Sequence, residues 1–309
     1  MGTWACSPQL VEPVNRPPAP GLAENTLRQI IRVSIGSDRL RVRFSNEFGV
    51  TPLILMSVHL ALPIADGSIK PETDKALTFA GQSSVSIPAG AMMISDPIDF
   101  NVAPQTDLAI TFQAGKVSDS ITGHPGSRAT SYLVAGDAVS APMLTNPIKA
   151  DHWYVLDGVD VAAKKPAAAV VIAGDSITDG RGSTTNGNDR WPDDLARRLL
   201  ATKSTADVAI LNHGIGGNRI LHDRAGPNLL ARFDRDVLVQ PGVRWVIVLE
   251  GLNDIGTSRK EAAKGEQLTT VGDLIAAFQQ LITRAHTQGP SDIRNHDSAV
   301  RRVVLLLAP

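Results

Sequence analysis

The chain has 309 residues, room for two domains on ordinary domain sizes, and its 30 Lys and Arg against 31 Asp and Glu leave a net charge of −1. Hydrophobic residues at 43% and charged residues at 20% give a globular composition, and near-neutrality without a local Lys/Arg cluster argues against nucleic acid as a partner. The apolar run 167–173 is too short to span a bilayer, and a single cysteine, Cys6, excludes an intrachain disulfide and any cysteine-built metal site.

Residues 1–7 carry neither a basic n-region nor an apolar h-region, so the chain as given shows no signal peptide. The Pro-rich stretch 13–20 reads as a surface lead-in. From about residue 28 to 157 the signal is short extended segments separated by turn residues. Arg39 to Phe44 alternates charged and apolar side chains, the period-2 pattern of a half-buried strand. Ile54, Met56, Val58 and Leu60 share one parity in the next segment. Further strands are expected at 76–79, 84–87, 107–112 and 129–134, punctuated by Gly, Pro, Ser and Asp. No helical repeat lasts beyond two turns here. The reading is an all-β, sandwich-like domain over residues 1–160.

Ala162 to Pro166 is the expected join, followed by an α/β domain over residues 161–309. The run 167–173 is continuously apolar, as in a parallel strand buried on both faces. Helix is expected at 191–200, with Pro192 tolerated in the first turn, then strand at 208–211, helix at 228–238 and strand at 245–249. Leu274, Ile275, Phe278, Leu281, Ile282 and Ala285 fall on one face of a further helix, and a strand is expected at 303–307. Alternation of strand and helix implies right-handed crossovers and a parallel sheet, which takes ligands at the carboxyl ends of its strands.

Three polar, Gly-containing segments each follow one of these buried strands. Gly174-Asp175-Ser176 places a hydroxyl where a loop and helix N-terminus offer backbone N–H donors. The same Asp and Ser serve equally well as ordinary caps. Asn212-His213-Gly214-Ile215-Gly216-Gly217-Asn218 lets backbone approach a ligand closely, or makes a plain turn. It lacks the third glycine of a dinucleotide fingerprint, because Arg219 stands there. Gly251-Leu252-Asn253-Asp254 offers an uncharged amide donor, or simply starts a turn. Together, a hydroxyl, a backbone donor and an amide donor converging on one crevice fit acyl transfer.

Gly174-Asp175-Ser176, the Gly217 turn and Asn253-Asp254 resemble, in order and spacing, the first three signature blocks of the SGNH, or GDSL, hydrolase superfamily. The phrase Arg190-Trp191-Pro192-Asp193-Asp194-Leu195 is similar to that family's segment after the nucleophile. Gly2-Thr3-Trp4-Ala5, residues 26–34 and residues 38–46 resemble the β-rich N-terminal domain of a bacterial two-domain subgroup. The resemblance implies a flavodoxin-like doubly wound α/β fold of the SGNH type. It also implies a nucleophile at Ser176 and an oxyanion hole from the N–H groups of Ser176 and Gly217 and the side chain of Asn253. The Gly-x-Ser-x-Gly elbow of α/β-hydrolases is absent.

The family's fourth block, an Asp-x-x-His carrying the general base, does not occur after Asn253. Serine needs such a base, being a weak nucleophile at neutral pH. His286 reads as a charge at a helix C-terminus, His296 follows Asp292 at the wrong spacing, and His213 and His222 read as solvated loop residues. His59, His124 and His152 fall in the β-rich part and receive no role. Only four parallel strands are found where such a sheet usually has five, and 289–302 departs from what the family leads one to expect. The expectation is therefore a C-terminally shortened chain without its general base.

The leading reading is a carboxylic ester hydrolase of small acyl or acetyl esters, needing no metal or organic cofactor. The alternative is a catalytically impaired relative that binds acyl groups or carbohydrate. A nucleotide-binding domain is disfavoured because no phosphate-cradling motif follows the first strand. The family's members are often exported, and the sequence leaves location and oligomeric state open.

Overall fold

The computed structural model describes residues 1–163, 167–263, 265, 268–287 and 302–305. Three expectations reach outside these residues: the end of the join at 164–166, His296 within 289–301, and the end of the last strand at 306–307. The chain divides into two units. One gathers residues 1–7, 164–182 and 190–309, the other residues 8–163 and 183–189.

The β-rich unit is built on antiparallel pairing. Strand Asn25–Arg32 lies between Asp107–Ala114 and Ser131–Ala135, and Asp107–Ala114 pairs in turn with Leu53–Ala61. A second sheet centres on Ser37–Ser45, flanked by Leu156–Val161, Met92–Ile94 and Ile98–Val102. Phe44 of one sheet meets Phe112 of the other edge-on, ring centres 6.2 Å apart, so the inward faces share one aromatic core. Leu40, Val42 and Phe44 point inward as their alternation requires. Arg43, on the other parity, is nevertheless buried beside Asp157 and Asp160, in space that Gly158 leaves by having no side chain.

The expected parity of Ile54, Met56, Val58 and Leu60 does not hold through the whole strand. Leu53 and Leu55 are buried at one end and Val58 and Leu60 at the other, while Met56 is 47% exposed. Gln113 pairs with Ser57 and Ala114 with Leu55, so Met56 is skipped. A bulge of one residue switches which parity faces the core.

Arg28 is wholly buried in this unit and, among the described residues, faces no carboxylate at ion-pair distance. Its Nε donates to Thr111 Oγ1 at 2.8 Å, Nη1 to Gly67 O at 2.8 Å, and Nη2 to Ala141 O at 2.7 Å and Val139 O at 3.4 Å. Burial pulls its pKa down to about 10, with Asp74 opposing. One guanidinium thus ties two loops to the sheet.

The α/β unit follows the expected alternation: β1 (Ala168–Gly174), α1 (Ser176–Asp179), α2 (Trp191–Leu200), β2 (Val208–Gly214), α3 (Leu229–Phe233), β3 (Val243–Leu249), α4 (Leu252–Ala262), α5 (Val271–Thr287) and β4 (Arg302–Leu305). The strands are parallel in the order β2-β1-β3-β4, a doubly wound order with β1 central. All seven residues of β1 are buried, which explains its unbroken apolar run. Val170, Ile172 and Ile210 pack with Ala196, Trp191 and Leu195 of α2 on one face.

The helix expected over 228–238 is shorter than its pattern. α3 is capped by the Asn228 side chain, which accepts the Ala231 N–H at 2.9 Å, and passes into a π-helical turn over Asp234–Leu238. α4 is not expected from the sequence, where Asn253 and Asp254 suit the start of a turn equally well. On α5, Leu274, Phe278, Leu281 and Ala285 are buried as the pattern requires, but Ile275 is 53% exposed, so the apolar stripe is narrower than expected. The N-terminal strand Gly2–Ala5 lies beside β2, where a side chain at residue 2 would meet Leu211 at 2.8 Å.

Candidate active site

The three segments singled out in the sequence leave the sheet at one level. Gly174, the last residue of β1, pairs with Gly214 at the end of β2 and with Leu249 at the end of β3. Because β1 lies between the other two, the loops after all three open on one crevice at the strand carboxyl ends.

The first loop is held by its own residues. Asp175 accepts the Ile177 N–H on Oδ1 at 2.9 Å, and its own N–H donates to Leu249 O at 3.3 Å. Half-buried Ser176 opens α1, which ends one turn later at Gly180 in a left-handed conformation, φ 109°. Among the described residues none bonds the Ser176 hydroxyl, and none accepts the N–H of Ser176 or Gly217.

The second loop presses against the first. The Asn212 side chain donates to Thr178 O at 2.8 Å, and Ile215 N–H donates to Gly174 O at 2.9 Å. A Cβ at Gly214 would lie 2.3 Å from the Asp179 backbone nitrogen, so only glycine permits this approach. Gly217 differs: it has φ 74°, yet a Cβ there would meet nothing closer than Ala225 Cβ at 3.5 Å. Gly214→Ala is therefore expected to cost more stability than Gly217→Ala, about 2–3 against about 1 kcal/mol. Denaturant midpoints of the two variants check the order.

The third loop is pinned to the second. Asn253, in the first turn of α4, donates through Nδ2 to Asn218 O at 2.9 Å. Buried Asp254 accepts the N–H groups of Ile220 at 2.9 Å and Leu221 at 3.1 Å. Asn218, buried just after Gly217, donates to Ala225 O at 3.2 Å and Pro227 O at 2.8 Å and closes the loop on itself. Ser176, Gly217 and Asn253 thus belong to three loops joined by hydrogen bonds.

Carboxyl groups crowd beneath these loops. Burial raises the pKa of Asp175 and of Asp254, partly offset by the N–H groups each accepts. Glu250 is pushed well above the ordinary carboxyl value by complete burial, and the charges of Asp175 and Asp254 add to this against the pull of Arg232. Arg232 lies 3.8 Å away and, among the described residues, no side-chain hydrogen bond reaches either Glu250 oxygen, so desolvation outweighs the attraction and the pKa stays raised. Such a group adds stability below the unfolded value near 4.5, and that stability is lost as pH rises toward the folded value. Glu250→Gln, which keeps the shape and cannot ionise, is expected to flatten the fall in melting temperature as pH rises above the ordinary carboxyl value.

His286 is placed as expected, at the end of a helix, but His213 is not. His213 is buried rather than solvated, its Nδ1 3.2 Å from the Ser7 hydroxyl, because the end of β2 turns it away from solvent. His222 lies 3.4 Å from Thr269 Oγ1 in a half-buried loop, and His286 is exposed in the last turn of α5. Among the described residues no group of three His, Cys, Asp or Glu side chains gathers to hold a metal, and no helix is long and apolar enough to cross a membrane.

The β-rich unit has a cleft of about 550 Å³ lined by Tyr132, Asp107 and Asn186 among others. A cleft of this volume is within the usual range for a small-molecule site. Its polar groups, however, are engaged with their neighbours: Asp107 with Arg32 at 2.7 Å, Asn186 with Thr130 at 2.9 Å, and Lys149 over the Tyr132 ring. The strand ends of the α/β unit instead gather the segments that carry Ser176, Gly217 and Asn253.

The model of the GDSL-like Lipase/Acylhydrolase family matches residues 172–302. This segment is a GDSL-like hydrolase domain. None of the curated proteins compared matches the chain. Among solved structures, the chain is similar to Axe2, an acetylxylan esterase from Geobacillus stearothermophilus, at 21% identity and a TM-score of 0.33 over 46% of this chain and 61% of that one. It is also similar to LAE5, an alpha/beta hydrolase enzyme from the metagenome of Lake Arreo, Spain, at 21% identity and a TM-score of 0.34 over 45% and 60%. The chain therefore spans about three fifths of the length of these solved chains.

Asn218, Arg232, Glu250 and Asp254 all join the GDSL-like site, and the sequence reading gave none of them a role. A glutamate directly after the apolar run 245–249 is the available signal for burial.

Proposed function

We propose that the chain is a serine ester hydrolase acting on short-chain acyl or acetyl esters. The observation that carries this is the Asn253 to Asn218 hydrogen bond, which couples the third loop to the residue after Gly217 at the level where β1 delivers Ser176. In this reading the Ser176 hydroxyl attacks the ester carbonyl, and the N–H groups of Ser176 and Gly217 receive the developing oxyanion with the Asn253 amide. Departure of the alcohol leaves an acyl-serine, and water releases the acid. The Nδ2 group of Asn253 has two hydrogens. One is held by Asn218 O, which fixes the amide plane and leaves the other for the oxyanion.

A second reading is favoured by one feature: no histidine among the described residues reaches the Ser176 hydroxyl. It is a relative that binds acyl groups or carbohydrate without efficient turnover. Incubation with a fluorophosphonate, then peptide mass analysis, separates the two. Labelling at Ser176 together with hydrolysis of p-nitrophenyl acetate is expected; no labelling and no hydrolysis would leave the binding reading.

A further inference from the structure

Beneath the three loops lies a guanidinium that the catalytic reading does not use. Arg232, on α3, is wholly buried, and its donors fan out to the strand ends. Nε donates to Asn218 Oδ1 at 3.0 Å. Nη1 donates to His213 O at 2.8 Å, to the Ser7 hydroxyl at 2.9 Å and to Asp236 Oδ2 at 3.0 Å. Nη2 donates to Gly174 O at 3.3 Å and lies 3.8 Å from Glu250. The carbonyls of Gly174 and His213 mark the ends of β1 and β2, and Glu250 directly follows β3. A single planar group therefore touches all three strand ends from below.

Its charge is balanced from one side. Burial disfavours the Asp236 carboxylate, but Arg235 and Arg232 outweigh that and hold its pKa at about 2, so Asp236 stays ionised, whereas burial raises the pKa of Glu250. Asp236 anchors the guanidinium, and the neutral oxygens of Asn218, His213 and Gly174 are what it positions. Asn218 is the link to chemistry: its side chain is held by Arg232, its neighbour is Gly217, and its carbonyl holds the Asn253 amide.

We propose that Arg232 is a positioning residue for the oxyanion hole, holding the Gly217 N–H and the Asn253 amide in register with Ser176 through Asn218 and the carbonyls of Gly174 and His213. This rests on the ester hydrolase reading. A planar fork reaches these acceptors together; a lysine ammonium at the end of a flexible stem keeps the charge beside Asp236 but cannot span them.

The test compares Arg232→Lys with Val246→Ala, a buried change in β3 that removes stability without touching the loops. In Arg232→Lys, kcat for p-nitrophenyl acetate is expected to fall about 100-fold with KM within about threefold, whereas Val246→Ala keeps kcat within about threefold despite a lower melting temperature. Amide hydrogen exchange read by mass spectrometry is expected to speed up over residues 214–221 in Arg232→Lys and to stay unchanged over 168–173. Unaltered kcat and exchange in Arg232→Lys, or a loss of kcat in both variants in step with melting temperature, would overturn the proposal. If the wild-type chain neither hydrolyses the ester nor takes the fluorophosphonate, the hydrolase reading has failed. The exchange of 214–221 then decides whether Arg232 orders the loop: faster exchange supports it and unchanged exchange overturns it.

Discussion

Ser176→Ala is expected to abolish fluorophosphonate labelling and to lower ester hydrolysis by on the order of 10³-fold or more, leaving only what the oxyanion donors and binding supply. The folded state should hardly notice. Ser176 is half-buried, its hydroxyl bonds no described residue, and α1 is capped by Asp175. Melting temperature should therefore stay near that of the wild type, and this separates loss of a nucleophile from loss of fold. Asn253→Ala is expected to act differently, lowering kcat about 10²- to 10³-fold with KM little changed, because an oxyanion donor works mainly on the transition state. It should also loosen the Asn218 carbonyl, its resting partner at 2.9 Å. Steady-state kinetics on p-nitrophenyl acetate and intact-mass labelling measure both variants.

Arg28→Met is expected to cost about 3–5 kcal/mol, the largest loss of stability foreseen for the β-rich unit. The change removes a buried group that donates to Thr111 and to the carbonyls of Gly67, Val139 and Ala141. Each orphaned carbonyl that water cannot reach costs on the order of 1–3 kcal/mol, and methionine returns part of this by burying apolar surface. Arg28→Lys should recover little, since one ammonium cannot serve acceptors spread around a planar fork. Denaturant titration followed by circular dichroism checks the size of the loss. A midpoint close to wild type for Arg28→Met would show that the loops at 67 and 139–141 hold without it.

Much of the α/β unit was legible because its signals are local. α2 runs from Trp191 to Leu200, where the helical pattern with its early Pro192 placed it. β1 had to be a strand buried on both faces because nothing in 167–173 could face water. The three loops were legible because glycine, serine and asparagine at strand ends have few other uses in such a pattern. Less was legible where neighbours decide. No periodicity in the sequence marks the bulge at Met56, which exists because Asp107–Ala114 pairs out of step with Leu53–Ala61. Ile275 sits on the apolar side of a helical wheel, yet nothing among the described residues covers it. His213 looked like a loop residue until β2 continued through Gly214 and carried it into the interior beside Ser7.

The sequence by itself determined the fold class and the order of the three polar loops, because alternating strands and helices and single Gly, Ser and Asn residues are properties of neighbouring positions. Only the tertiary structure decided that residues 1–7 group with the α/β unit, that Gly214 must be glycine because α1 lies against it, and that Arg232 and Asn218 bind the loops from beneath. Those facts depend on contacts between residues far apart in the chain, such as Ser7 and Arg232. Hydrophobic patterning has no term for such contacts; they arise when a buried polar group must find partners in three dimensions.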